Sequence, residues 1–170
     1  MDAMEAILSR RSIRKYTPQQ VSEEIIRELL EAAMSAPSAG NQQPWHFVVI
    51  NDRRILHEIP KFHPYSQMLE EAALAILVCG DEHLERVKGY WVQDCSAATQ
   101  NILIAAHAKG LGAVWLGMYP REDRVAETRK LLALPQHVIP FSLISIGYPA
   151  ERKGPARRYD DSRVHHNKWR

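Results

Sequence analysis

Three short stretches carry the residue types that do chemistry. The first reads RRSIRKY and sets Arg10, Arg11, Ser12 and Arg14 close together. Guanidinium forks match phosphate oxygens bidentately, and a serine hydroxyl adds a neutral donor. A second basic pair, Arg157 and Arg158, sits near the other end of the chain and is able to converge on the same anion. The second stretch, PSAGNQQPW, offers the hydroxyl of Ser38 and the amides of Asn41, Gln42 and Gln43 between Pro37 and Pro44, with no titratable group. That set is poor for acid–base work and suited to hydrogen-bonding the edge of a flat heterocycle. The third, GLGAVWLG, groups Gly110, Gly112 and Gly117 around Trp115. Each stretch also has a plain reading, as solvated charge, as turn residues or as a strand entry.

Several chemistries are set aside. A dinucleotide fingerprint follows a strand and opens a helix, whereas these glycines follow a helix pattern and enter a strand. No histidine pair stands at a helical ligand spacing beside a third ligand, and His57, His63, His83, His107, His137, His165 and His166 are scattered, so no metal centre is expected. There is no GxSxG, and neither Cys79 nor Cys95 lies in a basic loop beside a histidine. Both cysteines read as buried thiols of a protein in the reducing cytoplasm. With 22 basic against 20 acidic residues, the formal charge of +2 argues against a nucleic-acid binder. No apolar run approaches the roughly 20 residues that span a bilayer, and the opening MDAMEAILSRR lacks the basic start and apolar centre of a signal peptide.

The 170 residues suit one domain, with helices covering a sheet. Helical spacing over 3–10 puts Met4, Ile7 and Leu8 on one face. Ser22 is an N-cap for a helix striped by Ile25, Ile26, Leu29, Leu30, Ala33 and Met34 and stopped by Pro37. Strands are expected at 46–50, 74–80, 111–119 and 140–149. A short helix follows the first strand, another lies at 68–72, and an amphipathic helix follows Pro120. Residues 91–108 form a long helix with few charges on any side, which must be buried in a core or against another subunit, and Gly110 caps it. Residues 150–170 form a polar tail.

In order and spacing, RRSIRKY, APSAGNQQPWHFVV, GLGAVWLG and ARRYDDSRVHHNKW together resemble the FMN-dependent nitroreductase family over nearly the whole chain. The resemblance implies a nitroreductase-like α+β fold with a central mixed sheet flanked by helices. It also implies an intertwined homodimer whose tail, about 150–170, wraps the partner, with an FMN at each end of the interface. Arg10, Arg11, Ser12 and Arg14 would hold phosphate and ribityl groups. Pro37, Ser38, Asn41 and Gln43 would reach the flavin of the other subunit. Val114, Trp115, Leu116 and Gly117 would run along the ring, and Arg157 or Arg158, with Arg158 preferred, would return to the phosphate. Family members often carry an Asn before the second strand; here the stretch is FHPYSQMLEE, and Ser66 or Gln67 takes that place. The implied activity is ping-pong electron transfer from NADH or NADPH to a flat acceptor such as a nitroaromatic or quinone, with no protein acid or base required. Reductive dehalogenation and flavin breakdown also occur on this scaffold, and flavin binding without nicotinamide turnover is a further alternative.

Overall fold

The computed structural model describes residues 1–169. Helix α1 (Ala3–Ser9) is capped by Asp2, whose carboxylate accepts the Glu5 N–H at 2.9 Å. Helix α2 (Glu23–Met34) starts from Ser22 and buries Ile26, Leu29 and Ala33 of its predicted stripe, while Ile25 and Leu30 are half-buried and Met34 is exposed. Strand β1 (Trp45–Ile50) is followed by α3 (Arg53–Glu58) and two single 3₁₀ turns, Ile59–Lys61 and Gln67–Glu70. Strand β2 (Leu74–Asp81) leads through a polar turn to α4 (Trp91–Ala108), then to β3 (Gly112–Gly117), α5 (Glu122–Leu131) and β4 (Val138–Gly147). None of the helices among the described residues is long and apolar enough to cross a membrane.

The strands lie in the order β1-β2-β4-β3, and each neighbouring pair is antiparallel. The parallel component expected of a mixed sheet is confined to one isolated bridge, Ser12 with Ala113. The reason is topological. Helix α4 carries the chain from β2 to β3 in the same direction, and β4 then enters between them from the opposite end. Ile76, Val78 and Ile144 face α2 and α4, while Leu77, Cys79, Val114 and Leu143 face α3, the 3₁₀ turns and the residues that end α5. Successive strand residues point to opposite faces, so both faces of β2 are apolar because both are covered.

Two departures from the sequence expectation have physical causes. Met4, Ile7 and Leu8 are 49–63% exposed, and α1 seats only Ala6 in the core. The stripe was assigned by period alone, which identifies an apolar face without identifying what covers it. Strand β4 also begins two residues before Pro140, although proline lacks the N–H that a central ladder needs. A register shift accommodates it: Val78 pairs with Ser142 but Cys79 with Pro140, leaving Phe141 as an extra residue. The Phe141 carbonyl then accepts the N–H groups of Met118 and Tyr119.

The N-terminal segment docks on the outer edge of β3. Ile13 N–H donates to the Ala113 carbonyl at 3.0 Å, and the Tyr16 hydroxyl donates to the carbonyls of Ile13 and Ser145. A Cβ placed on Gly112 would come within 2.6 Å of Ile13 Cγ2 and 2.8 Å of its Cβ, so glycine is what lets the segment approach. Gly112→Ala should therefore cost about 1–3 kcal/mol by overpacking, read as a lowered Tm, with Ile13→Ala in the same chain relieving part of the loss.

Candidate functional site

The extended run 10–16 separates its side chains by period two. Ile13 is buried, and Arg11 shares its face, lining with Ser9, Ile13, His107, Glu151 and Lys153 a cavity of about 320 Å³. Arg11 donates to the Gly154 carbonyl, and Lys153 Nζ donates to the Ser12 carbonyl at 2.8 Å. Arg14 is exposed, and its backbone N–H is held by Glu151 Oε1 at 2.6 Å. Residues 149–154 of the tail thus run along the chain's own N-terminal segment, and Tyr16 bridges to Pro149.

Farther along the tail, Arg158 comes close enough to Arg10 to disturb it. Burial, then the like charges of Arg158 and Arg11, hold the Arg10 guanidinium below the usual arginine range. Like-charged guanidinium groups repel each other, and an anion between them would relieve that repulsion. Arg157 is exposed and does not figure among the charges acting on Arg10.

Beside this cluster runs the open edge of β3. The Ala113 carbonyl faces outward to Ile13, and by the same period Trp115 and Gly117 present their peptide groups on that edge. Val114 and Leu116 turn their side chains into the core and their backbones toward β4. Of the four strand residues singled out from sequence, only Trp115 and Gly117 therefore offer backbone groups outward. Trp115 is 36% exposed and packs edge-on against Phe141. Gly117 has no atom within 4 Å of an added Cβ and no positive φ. Nothing in its own chain requires glycine there, whereas a flat ligand lying along the strand would.

The Gly117 carbonyl is occupied from behind. His63 Nε2 lies 3.1 Å from it and Arg124 Nη1 donates at 2.8 Å. The Tyr65 N–H approaches His63 Nδ1 at 3.4 Å, so Nδ1 accepts and Nε2 carries the proton. Burial and the adjacent Arg124 lower the His63 pKa and keep the ring neutral. The sequence reading gave neither residue a role, since neither lies in a motif.

The amide loop is built elsewhere. Asp94, buried in the first turn of α4, accepts the Ala39 N–H at 2.9 Å and Gln42 Nε2 at 2.7 Å. Gln42 Oε1 accepts the N–H groups of Arg86 and Val87. Ser38 Oγ accepts the Gln43 N–H, and Gln43 Nε2 donates to Asn41 Oδ1. Gly40, Asn41 and Gln43 all hold positive φ, and Pro37, Asn41 and Gln43 remain exposed. Among the described residues no hydrogen bond joins this loop to residues 10–14 or 113–117. Gln67 is exposed in its 3₁₀ turn, while the Ser66 hydroxyl is buried and donates to the His63 carbonyl at 2.7 Å. That bond leaves Gln67 the freer of the two candidates for the missing Asn.

The nitroreductase family model matches residues 7–86 and 61–148. The chain belongs to the nitroreductase family. A relative from Methanothermobacter thermautotrophicus, provisionally named NADH dehydrogenase/NAD(P)H nitroreductase, is 55% identical over 169 residues, covering 99% of this chain and 88% of that one. A solved structure from Parabacteroides distasonis with the same provisional name superimposes with a TM-score of 0.95 at 42% identity, covering 98% of each chain. An FMN-dependent nitroreductase from Clostridium difficile does so with a TM-score of 0.87 at 31% identity, covering 94% of this chain and 96% of that one. Membership in this family fits the arginine cluster beside an open strand edge and the lack of an acid–base pair on that edge.

His63 also gives stability a pH dependence. An unfolded histidine titrates near 6.5, and the folded ring has a lower pKa. Between those values the unfolded chain binds protons that the folded chain refuses, so stability falls as pH falls through about 6.5. Burial and Arg10 lower His107 in the same direction. Tm should therefore drop between pH 7.5 and 5, and His63→Gln, which keeps a donor for the Gly117 carbonyl, should show a shallower slope in the same thermal melts.

Proposed function

We propose that the chain acts as a homodimeric, FMN-dependent oxidoreductase that takes electrons from NADH or NADPH and passes them to a flat acceptor such as a nitroaromatic or quinone. The observation that carries this reading is that the basic N-terminal segment docks on the open edge of β3 and the tail runs back along that segment. The donor set fits FMN. A partly buried cluster of guanidinium groups with the Ser12 hydroxyl suits a phosphate dianion, and a bare glycine on a strand edge suits a flat ring. Bound there, FMN would supply a site that accepts hydride from the nicotinamide and releases electrons to the acceptor.

The protein's part is to bind, orient and shield. Arg10, Ser12, Arg14 and Arg158 would hold the phosphate end, with Arg11 placed by the Gly154 carbonyl. Trp115 and Gly117 would direct backbone groups at the ring edge, where fixed donors stabilise developing negative charge. His63 and Arg124 fix the Gly117 peptide, and the Nε2 proton of the neutral His63 ring is committed to the Gly117 carbonyl. Protons for the acceptor would come from water. Donor and acceptor would use one face in turn, giving ping-pong kinetics.

Two features support the homodimer. Met4, Ile7 and Leu8 form an apolar surface on α1, and Tyr159 and Trp169 on the tail are 82% and 87% exposed. Apolar surface of this kind marks an interface. A partner wrapped by the tail would cover it, and the partner's amide loop, presented by Asp94, would complete each site. The segment 61–71 supports simple electron transfer over lid-dependent chemistry, because His63, Ser66 and Leu69 anchor it in the core.

The purified protein should be yellow or reconstitute with FMN, and should bleach under anaerobic NADH or NADPH. A colourless protein that refuses FMN would overturn the reading. Arg10→Ala and Arg158→Ala should each weaken FMN about 10- to 150-fold, the loss of a charged hydrogen bond of about 1.5–3 kcal/mol. Arg157→Ala should stay within about twofold, as for an ordinary surface change. Flavin fluorescence titration separates the three.

A further inference from the structure

Away from the β3 edge, the fold gathers imidazoles around one carboxylate. Asp81 ends β2 and is buried; His83 follows in the turn, and His137 immediately precedes β4. Although 54 positions separate the two histidines in the chain, their rings stack with centroids 3.9 Å apart and planes 8° apart. One ligand atom from each of Asp81, His83 and His137 lies within 4.8 Å of the other two. A third imidazole, His46 on β1, reaches Asp81 Oδ2 through Nε2 at 3.0 Å.

The backbone under this cluster is fixed on every side. The His83 N–H donates to Asp81 Oδ1 at 2.8 Å, and the Glu82 N–H donates to the His137 carbonyl at 2.9 Å, tying the two histidine segments together. The Asp81 N–H donates to the Pro44 carbonyl at 2.7 Å. The register shift at Pro140 is what lets β4 run on to Val138, opposite Asp81, and so bring His137 alongside.

We propose that Asp81, His83 and His137 bind one divalent cation of the zinc type, with His46 holding the carboxylate's second oxygen. Two imidazoles and a carboxylate are a common zinc ligand set that leaves a fourth position for water. Zinc–ligand bonds of about 2.0–2.2 Å place tetrahedral ligand atoms about 3.3–3.5 Å apart. Stacked rings do not aim their in-plane lone pairs at one point, so binding requires the exposed His83 side chain to rotate out of the stack and turn a ring nitrogen toward Asp81 and His137. Imidazole nitrogens select zinc, cobalt, nickel or copper, whereas magnesium and calcium require more oxygens than this cluster provides. A carboxylate already oriented by a histidine is the kind of outer support that tunes such sites. The cation would clamp the end of β2 to the start of β4, independently of flavin.

The test is titration of the chelator-stripped full-length protein with zinc chloride against a chromophoric chelator, with Tm measured in parallel. One equivalent should bind per chain and raise Tm, and magnesium should do neither. His137→Ala, His83→Ala and Asp81→Asn should each lower zinc affinity by at least tenfold and abolish the Tm rise. His83 is exposed, so its variant remains informative if another fails to fold. The tail histidines are the competing ligands, and a His165→Ala/His166→Ala double variant should bind as the parent does. Failure of the parent to bind an equivalent of zinc overturns the proposal, as does binding that survives His83→Ala and His137→Ala or is lost with the tail pair.

Discussion

An edge strand must dispose of its outward peptide groups, and the way β3 does so organises the rest of this molecule. At Ala113 the N-terminal segment takes the carbonyl, and at Gly117 His63 and Arg124 take it. Between them the Trp115 peptide faces out. One end of the edge is thereby closed by a segment rich in arginine and the other by a neutral histidine and a cation. A ligand laid along the strand meets cationic groups at both ends and a flat, side-chain-free surface at Gly117. The tail follows the same logic, since its first residues run along segment 12–16 before Arg158 reaches Arg10.

The amide loop rests on a different constraint. Three of its residues occupy the left-handed region, and two of these, Asn41 and Gln43, are not glycine. Such a backbone persists only when its surroundings over-determine it. Asp94 does this with both carboxylate oxygens, and Gln42 extends the anchor to Arg86 and Val87. A carboxylate on a nearly uncharged helix is thus the support for a rigid polar surface that its own chain leaves uncovered. One chain supplies an anion cluster and strand edge in one place and an amide surface in another, which is the division expected of half-sites completed by assembly.

Much of this was legible in the residues. Helix α2 was marked by its cap, stripe and stopping proline, and α4 by its length and lack of charge, because these signals are local. The family was legible through the order of its motifs along the chain. What failed needed distance or partners. The Met4, Ile7 and Leu8 stripe has the right period, yet no part of its own chain covers it. The start of β4 two residues before Pro140 depended on a register shift that only strand pairing reveals. His63, Arg124, His83 and His137 carry no motif and acquire roles only from which strand end they reach. Asp94 did have a signal, as a lone acid in a buried helix, that spacing arguments passed over.

The two cysteines lie where α4 crosses β2. Both are fully buried, and the Cys95 thiol points at the Cys79 carbonyl at 3.7 Å. Burial pushes Cys79 up to about 12 and raises Cys95 as well, so in the folded chain neither forms the thiolate that electrophiles attack. The folded chain thereby keeps both thiols out of reach of reagents in solvent. The same arrangement makes the pair an internal clock. Alkylating Cys95 requires α4 to lift from the sheet and alkylating Cys79 requires the α3 side to open, so the speed at which a thiol reagent marks each reports how often that face of the core comes apart.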